Sequence, residues 1–332
     1  RRKRPQKGGE QCAVPSKMAA IASSEKCEPC STHKSELFRA SLSLLCTDRT
    51  VALREVIATQ NNWISSYDMR PGSLFEGVAQ RLCLLISSEG KVGNVTRSAG
   101  YRRWSAEERA ALLDTTSFAL LLESQTDGVI PWPKVALEAE QAILGKLVDG
   151  SIAEHLSKIS SPIYVHRIVR YFIKALNKPP LFIDSMGSHG KSDDYKALGV
   201  DSEYLDLIVA CLNSSIFYWY WRLTSDGFHC GYGDIYRFPF HGSSLNSHRD
   251  EISKLVKLLM ASLEKNSVRK SITTKAGKIQ YQEFSPKSAK SILDAIDEAV
   301  ANAWGLSPAL VDYLINYDIK YRMGLVGDAA DD

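Results

Sequence analysis

Short apolar runs and longer amphipathic stretches alternate along the chain from Leu37 onward. LFRASLSLLC (37–46) reads as a buried strand. TDRTVALREVIATQ (47–60) reads as a helix, with Thr47 or Asp48 at its N-cap and Val51, Leu53, Val56 and Ile57 on its inner face. WISSYDM and RLCLLIS supply two further strands, separated by a loop that Pro71, Gly72 and Gly77 punctuate. Ser105 and Glu108 form a capping box at the head of a predicted helix over 105–122, and another helix is expected after Pro133. PIYVHRIVRYFIKAL (162–176) reads as strand. DSEYLDLIVACLNSSIFYWYWRL (201–223) reads as one or two buried helices, and DIYRFPF (234–240) as a strand that Pro239 confines to an edge or end. From Ser247 the pattern turns helical. One stripe runs through Ile252, Leu255, Val256, Leu259 and Leu263, another through Ile292, Ile296, Val300 and Trp304. Gly305 stops the second, and Ser307-Pro308 opens a last helix.

The rings are unevenly distributed. Residues 217–240 hold ten of the chain's thirty aromatic residues, five of them consecutive from Phe217 to Trp221. Five adjacent rings cannot share one helical face. About half are therefore expected in the core, with Ile216 and Tyr220, while the Gly-rich TSDGFHCGYGD is expected as an exposed loop.

Charge is also local. Residues 1–34 carry eight Lys/Arg against three Glu, a net of +5, which leaves the rest of this +3 chain at −2. Any nucleic-acid footprint must then be a patch on a nearly neutral body. The densest basic stretch of the ordered part is 166–178, with His166, Arg167, Arg170, Lys174 and Lys178 and no acid. Residues 1–34 are polar and aperiodic and are expected to be disordered or unrelated to the rest. No apolar run is long enough to cross a bilayer, so no membrane partner is expected. Seven scattered cysteines, an odd number, predict free thiols in a reducing, cytoplasmic setting. Cys27 and Cys30 form a CxxC with His33 nearby, but a structural zinc site wants a second pair of ligands and only Cys46 lies near, so no metal is assigned.

Five pieces, in order, resemble the C-terminal part of a site-specific DNA adenine-N6 methyltransferase of the large Eco57I-like branch, also found in combined restriction–modification enzymes. They are SLSLLCTDRTVALREVI, WISSYDMRPGSLFEGVAQRLCLLIS, YRRWSAEER, NSSIFYWYWRLTSDGFH with IYRFPF, and GLSPALVDYLINYDIKYR. Together they span 38–322. The resemblance implies an α/β fold. The C-terminal strands of a Rossmann-like catalytic sheet would occupy 35–120, a mixed α+β target-recognition domain 121–246, and a helical segment 247–332. It implies double-stranded DNA as partner and S-adenosylmethionine as cofactor of the complete enzyme. The family binds that cofactor through a Gly-rich turn and acts through an Asn/Asp-Pro-Pro-Tyr/Phe motif. Neither occurs here; the only Pro-Pro is Lys178-Pro179-Pro180-Leu181. The chain alone is therefore expected to bind no cofactor and to be inactive.

The family carries an aromatic in the loop before its antiparallel hairpin strand, and Phe75 matches that position, where it would stack on a flipped adenine. Arg102 and Arg103, between Tyr101 and Trp104, suit phosphate and base contacts. Arg167, Arg170 and Lys174 are candidate phosphate ligands. Arg222, His229 and Arg237, at and around the aromatic loop, are candidate base readers. Three readings compete: a methyltransferase part, a non-catalytic specificity module that works with a separate catalytic chain, and a Mg²⁺-dependent nuclease using Asp68, Glu89 and Lys91. SMGSHGKS (185–192) has Ser185 in place of the first glycine of a phosphate-binding loop and is expected to be an ordinary loop.

Overall fold

A computed structural model describes residues 35–89, 94–126, 130–158 and 162–325. The expectations for 1–34, including the zinc pair, and for Lys91 lie outside the described residues. The protein is mixed α/β, with a five-strand mixed sheet, two small antiparallel sheets and a C-terminal helical region.

The large sheet runs β1-β3-β2-β4-β5, from β1 (Ser35–Ser41), β2 (Asn61–Tyr67), β3 (Leu82–Ser88), β4 (Thr96–Arg102) and β5 (Ala119–Leu120). β3 is antiparallel to both β1 and β2, so these two run parallel on either side of it. β4 continues parallel to β2. Ile64, Cys83, Leu85 and Tyr101 build the sheet's core with Leu42, Leu44, Leu45 and Trp132.

β1 is not the buried strand its sequence predicts. It is an edge strand, and neighbouring Leu37 and Phe38, which point to opposite faces, are 57% and 46% exposed. The helix that follows, α1 (Val51–Ala58), also departs from expectation. Leu53 and Val56 face outward, and Arg54 faces in. Arg54 is tolerated inside because its Nη1 donates to Leu44 O, Thr47 O and Thr50 Oγ1 at 3.1, 2.8 and 2.9 Å.

The capping box at Ser105 and Glu108 forms, but it opens only a 3₁₀ turn, Ala106–Ala111. The helix after Pro133 is α2 (Glu138–Leu144). The strand predicted over 162–176 splits into β6 (Pro162–His166) and β7 (Ala175–Leu176); with β9 (Tyr195–Gly199) they make one small sheet. β8 (Phe182–Ile183) belongs to the other and precedes a turn that the Asp184 carboxylate closes by accepting from Met186 N and Ser188 N. The predicted aromatic helices are α3 (Leu205–Asn213) and α4 (Ser215–Thr224). DIYRFPF is not a strand, because the short helix Tyr232–Tyr236 and a turn take its place. The C-terminal region holds α5 (Arg249–Lys265) and α6 (Lys290–Ala303), as the stripes predict, α7 (Pro308–Asn316), which Ser307-Pro308 opens, and a further short helix that the pattern does not suggest, α8 (Ile319–Arg322). It also holds a hairpin that the helical stripes do not suggest, β10 (Val268–Thr274) and β11 (Gly277–Glu283).

One apolar cluster runs from Leu121 to Leu314 and unites the middle of the chain with its end. Phe217, Tyr218, Trp219 and Trp221 are all buried in it. The two indole N–H groups of this run both have acceptors. Trp219 Nε1 donates to Glu140 Oε1 at 3.2 Å and Trp221 Nε1 to His229 O at 3.1 Å. No helix among the described residues is long and apolar enough to cross a membrane.

The start of α4 is held twice. Ser214 Oγ accepts from Phe217 N at 3.1 Å, and buried Asp297 on α6 accepts from Ser215 N at 2.6 Å. Burial pushes the Asp297 carboxyl up from 3.8 to about 7, against the hydrogen bonds from Ser215 and the charge of Arg322. The folded chain thus holds this proton more tightly than the unfolded one. The associated stability is full below about pH 4 and is lost as the pH rises through about 7. Asp297→Asn keeps an oxygen acceptor for Ser215 N and removes the titration. Urea titrations should show the variant losing less unfolding free energy than the wild type between about pH 4 and about pH 7; equal losses would remove Asp297 from this role.

Candidate nucleic-acid interface

The strand ends of the sheet converge on Asp68, the residue that follows β2. Its side chain is 1% exposed. Arg103, just beyond β4, donates from Nε and Nη2 to Asp68 Oδ2 at 3.2 and 3.1 Å. Arg222, on α4, donates from Nη1 to the same oxygen at 2.9 Å. Arg81, just before β3, places Nε 3.2 Å from Asp68 Oδ1. Burial alone would raise the Asp68 carboxyl; the Arg222, Arg103 and Arg81 guanidiniums overcome it and hold the group at about 2. Asp318 completes the cluster, its Oδ2 3.4 Å from both Arg103 Nη1 and Arg222 Nε and accepting from Tyr218 Oη at 3.3 Å. Its backbone is left-handed, with φ 55°, a conformation Asp adopts more readily than most residues. The Arg222 guanidinium lies 3.7 Å from the Tyr101 ring centroid. Lys134, 1% exposed, donates to Ser225 O at 2.8 Å beside the same ring, and burial lowers it to about 8.

Two of the predicted DNA contacts are therefore corrected. Arg222 is fully enclosed and the Arg103 side chain is 7% exposed, so both are committed to Asp68 and Asp318 rather than offered to a duplex. Arg102 folds back onto the chain and donates to Leu112 O, Thr116 Oγ1 and Thr115 Oγ1. Trp104 is buried beneath Gly72, where a Cβ would come within 2.9 Å of its ring. The nuclease set is corrected as well. Asp68 and Glu89 lie at opposite ends of the β2–β3 ladder, whose register pairs Tyr67 with Leu82 and Asn61 with Ser88. The six residue steps between those two pairs already span about 20 Å, and Asp68 and Glu89 lie beyond them at either end, too far apart to share one metal ion. Among the described residues no group of His, Cys, Asp or Glu could hold a metal.

The remaining candidates are at or near the surface. Phe75 is half-buried in the loop between β2 and β3, with the Arg39 guanidinium 4.9 Å from its ring centroid. Arg109 holds that loop from below, donating to Ser73 O at 2.7 Å and Leu74 O at 3.3 Å. His229 and Phe228 are exposed on the Gly-rich loop, which the Asp226 carboxylate folds by accepting from both their backbone N–H groups. Arg81 lies over the Phe228 ring at 4.9 Å. The 166–170 stretch runs beside this loop, with Val169 N donating to Phe228 O and Cys230 N to Arg167 O. Ile168 stands directly opposite His229 in an antiparallel bridge. Arg167 makes an exposed ion pair with Asp194 at 3.3 Å. Arg170 is exposed. Lys174 is half-buried, and burial lowers its pKa. His166 is pushed down to about 4 by burial and by Lys174, so it adds no charge to the stretch at neutral pH. Arg237 reaches Asp234 at 3.5 Å and Asp48 at 3.8 Å.

The roles of Lys134, Arg81, Asp318 and Asp68 do not follow from the sequence pattern. The one signal it holds is charge inside or beside apolar runs: Arg222 within FYWYWRL, Lys134 within PWPKVA. Compared with known proteins, the chain matches no family model and no curated protein.

Arg222→Met leaves Asp68 and Asp318 short of a cation and should lower unfolding free energy by about 3–5 kcal/mol. Arg167→Gln loses only an exposed pair and should cost less than about 1 kcal/mol. Urea denaturation of both variants checks the contrast, and similar losses would contradict it.

Proposed function

We propose that this chain is the DNA target-recognition and base-flipping part of a site-specific adenine-N6 methyltransferase. The observation that supports it is the arrangement of β1, β3 and β2 around the Phe75 loop. An antiparallel strand lies between two parallel ones, and the aromatic sits in the loop that enters it, where the resemblance puts the stacking ring. A flipped adenine needs such a flat partner, since its amino group is otherwise paired and stacked. Arg39 over Phe75 and Arg81 over Phe228 indicate rings whose faces accept planar cations, as they would accept bases. Arg167 and His229 stand on the neighbouring loop pair, available to phosphates and base edges.

The described residues do not fit S-adenosylmethionine. The end of β2, where a sheet of this kind would open a cleft, is filled by Asp68 and its guanidiniums and by buried Tyr67 and Trp104. The sequence has no Gly-rich turn after a strand and no Asn-Pro-Pro-Tyr. These residues supply no methyl-transfer step; in this reading the cofactor and the transfer chemistry belong to a catalytic half outside them.

Calorimetry of the chain with S-adenosylmethionine should give no heat above dilution, and micromolar binding would overturn this division of labour. A second experiment tests flipping. Duplexes that the chain selects from a randomised pool are rebuilt with 2-aminopurine at each adenine. Wild-type protein should raise the fluorescence at one position. Phe75→Ala should abolish most of the rise, a loss of about 1–3 kcal/mol in the flipped state, with duplex affinity nearly unchanged. An unchanged signal in a folded variant would make Phe75 a packing residue.

A further inference from the structure

The β10–β11 hairpin gathers charge of one sign. From Lys265 to Gln282 the chain holds five Lys/Arg and no acid, within a body, residues 35–332, that sums to −2. Within the hairpin, β10 is exposed along nearly its whole length and forms the outer edge of its sheet. Among the described residues the strand that pairs with the hairpin is β8, which joins two residues of β11, Gln280 and Tyr281, to Ile183 and Phe182. At the ribbon's base Gln282 also donates to Glu264 and Ser267, at 3.0 and 2.8 Å. Gly277, at φ 124°, turns the ribbon tightly against Ser185, where a Cβ would meet Ser185 Cβ at 2.9 Å.

The antiparallel register sorts its side chains. One face carries Lys270, paired with Glu283 at 2.6 Å, and the apolar pair Ile272 and Ile279. The other carries Arg269 opposite Gln282, Ser271 opposite Gln280, and Thr273 opposite Lys278. That second face is wholly polar and has no acid on it. Arg269, Lys275 and Lys278 are exposed, and no ion pair holds any of them among the described residues.

We infer that the β10–β11 ribbon is a duplex-DNA contact that enters the major groove through its Arg269/Ser271/Thr273 and Lys278/Gln280 face. The two seven-residue strands are about 23 Å long; β8 pairs only with Gln280 and Tyr281 on the β11 edge, and elsewhere the pair is two-stranded, as a ribbon that fits the roughly 12 Å width of that groove is. Arg, Lys and Gln are the side chains that can take paired bonds from guanine and adenine edges there, while Lys275 at the tip can meet phosphate. The deep, narrow major groove of A-form RNA excludes such a ribbon. The inference rests on the proposed function only in taking DNA as the partner.

The test is fluorescence anisotropy with a labelled duplex DNA and the same sequence as duplex RNA, at low and at physiological salt. Arg269→Gln, Lys275→Gln and Lys278→Gln are combined in one variant. Its slope of log affinity against log salt should be shallower by at least about 0.9, the share of the phosphate that Lys275 neutralises, and binding at physiological salt at least about tenfold weaker. The thermal midpoint should stay at the wild-type value, since all three side chains are exposed. A control that removes the same charge elsewhere on the surface, Lys146→Gln, Lys257→Gln and Lys287→Gln, should leave the slope unchanged. Wild-type affinity and slope in the ribbon variant would overturn the inference. So would equal loss in the control, or wild-type binding to duplex RNA as tight as to DNA. If the ribbon variant loses DNA while Phe75→Ala leaves 2-aminopurine unaffected, the ribbon stands and the methyltransferase reading falls; the reverse pattern separates them the other way.

Discussion

Asp68 carries a negative charge in a space closed to water, and guanidiniums from three stretches of chain converge to keep it there. Arg81 and Arg103 come from the sheet, Arg222 from the aromatic helix, and Asp318 returns the excess charge from the far end of the chain. Each of these ions would be costly to bury alone; together they are compensated. The cluster sits where the sheet's small core meets the large apolar cluster that begins at Leu121. It therefore fixes the relative placement of parts that apolar packing alone would leave free to slide. The Phe75 loop lies between Asp68 and Arg81, so its two ends are anchored by the same charge.

The geometry also explains why arginine fills these positions. A planar fork can give two bonds to one carboxylate oxygen, as Arg103 does to Asp68, while its face still stacks on a ring, as Arg222 does on Tyr101. Lysine cannot do both. Lys134, buried near the site, makes a single backbone bond and is lowered to about 8, because little opposing charge offsets its burial.

Elements set by local pattern were legible in the sequence. β2, β3, the paired helices over 205–224 and the C-terminal helical stripes are all where periodicity placed them. What failed depended on distant partners. Leu53 and Val56 spell an inner face for α1, but three acceptors wait for Arg54 on the other side, and the helix turns that way. DIYRFPF has strand-like composition, yet the Asp234 carboxylate accepts from Gly231 N and starts a helix instead. The 268–283 hairpin has a plain period of two, but its strands are polar on one face and amphipathic helices flank it on both sides, so no apolar stripe marks it. The candidate site was half legible. The Gly-rich loop could be placed from residue type and Phe75 only through the resemblance, but Arg222 looked like a surface cation because its partner, Asp68, lies 154 residues away.

The enclosure of those arginines removes them from reach of any polyanion. Cations near the sequence's aromatic block are already spent on carboxylates inside the fold, and a charge so compensated presents little field to solvent. Only uncompensated cations attract phosphate at a distance, and these sit on peripheral structure, with Arg269, Lys275 and Lys278 on a ribbon that contributes no side chain to the main core. Stability and long-range attraction are thereby assigned to separate residues. The ribbon can vary its charge without disturbing the Asp68 cluster, and the cluster can hold the Phe75 loop rigid without weakening when salt screens the surface.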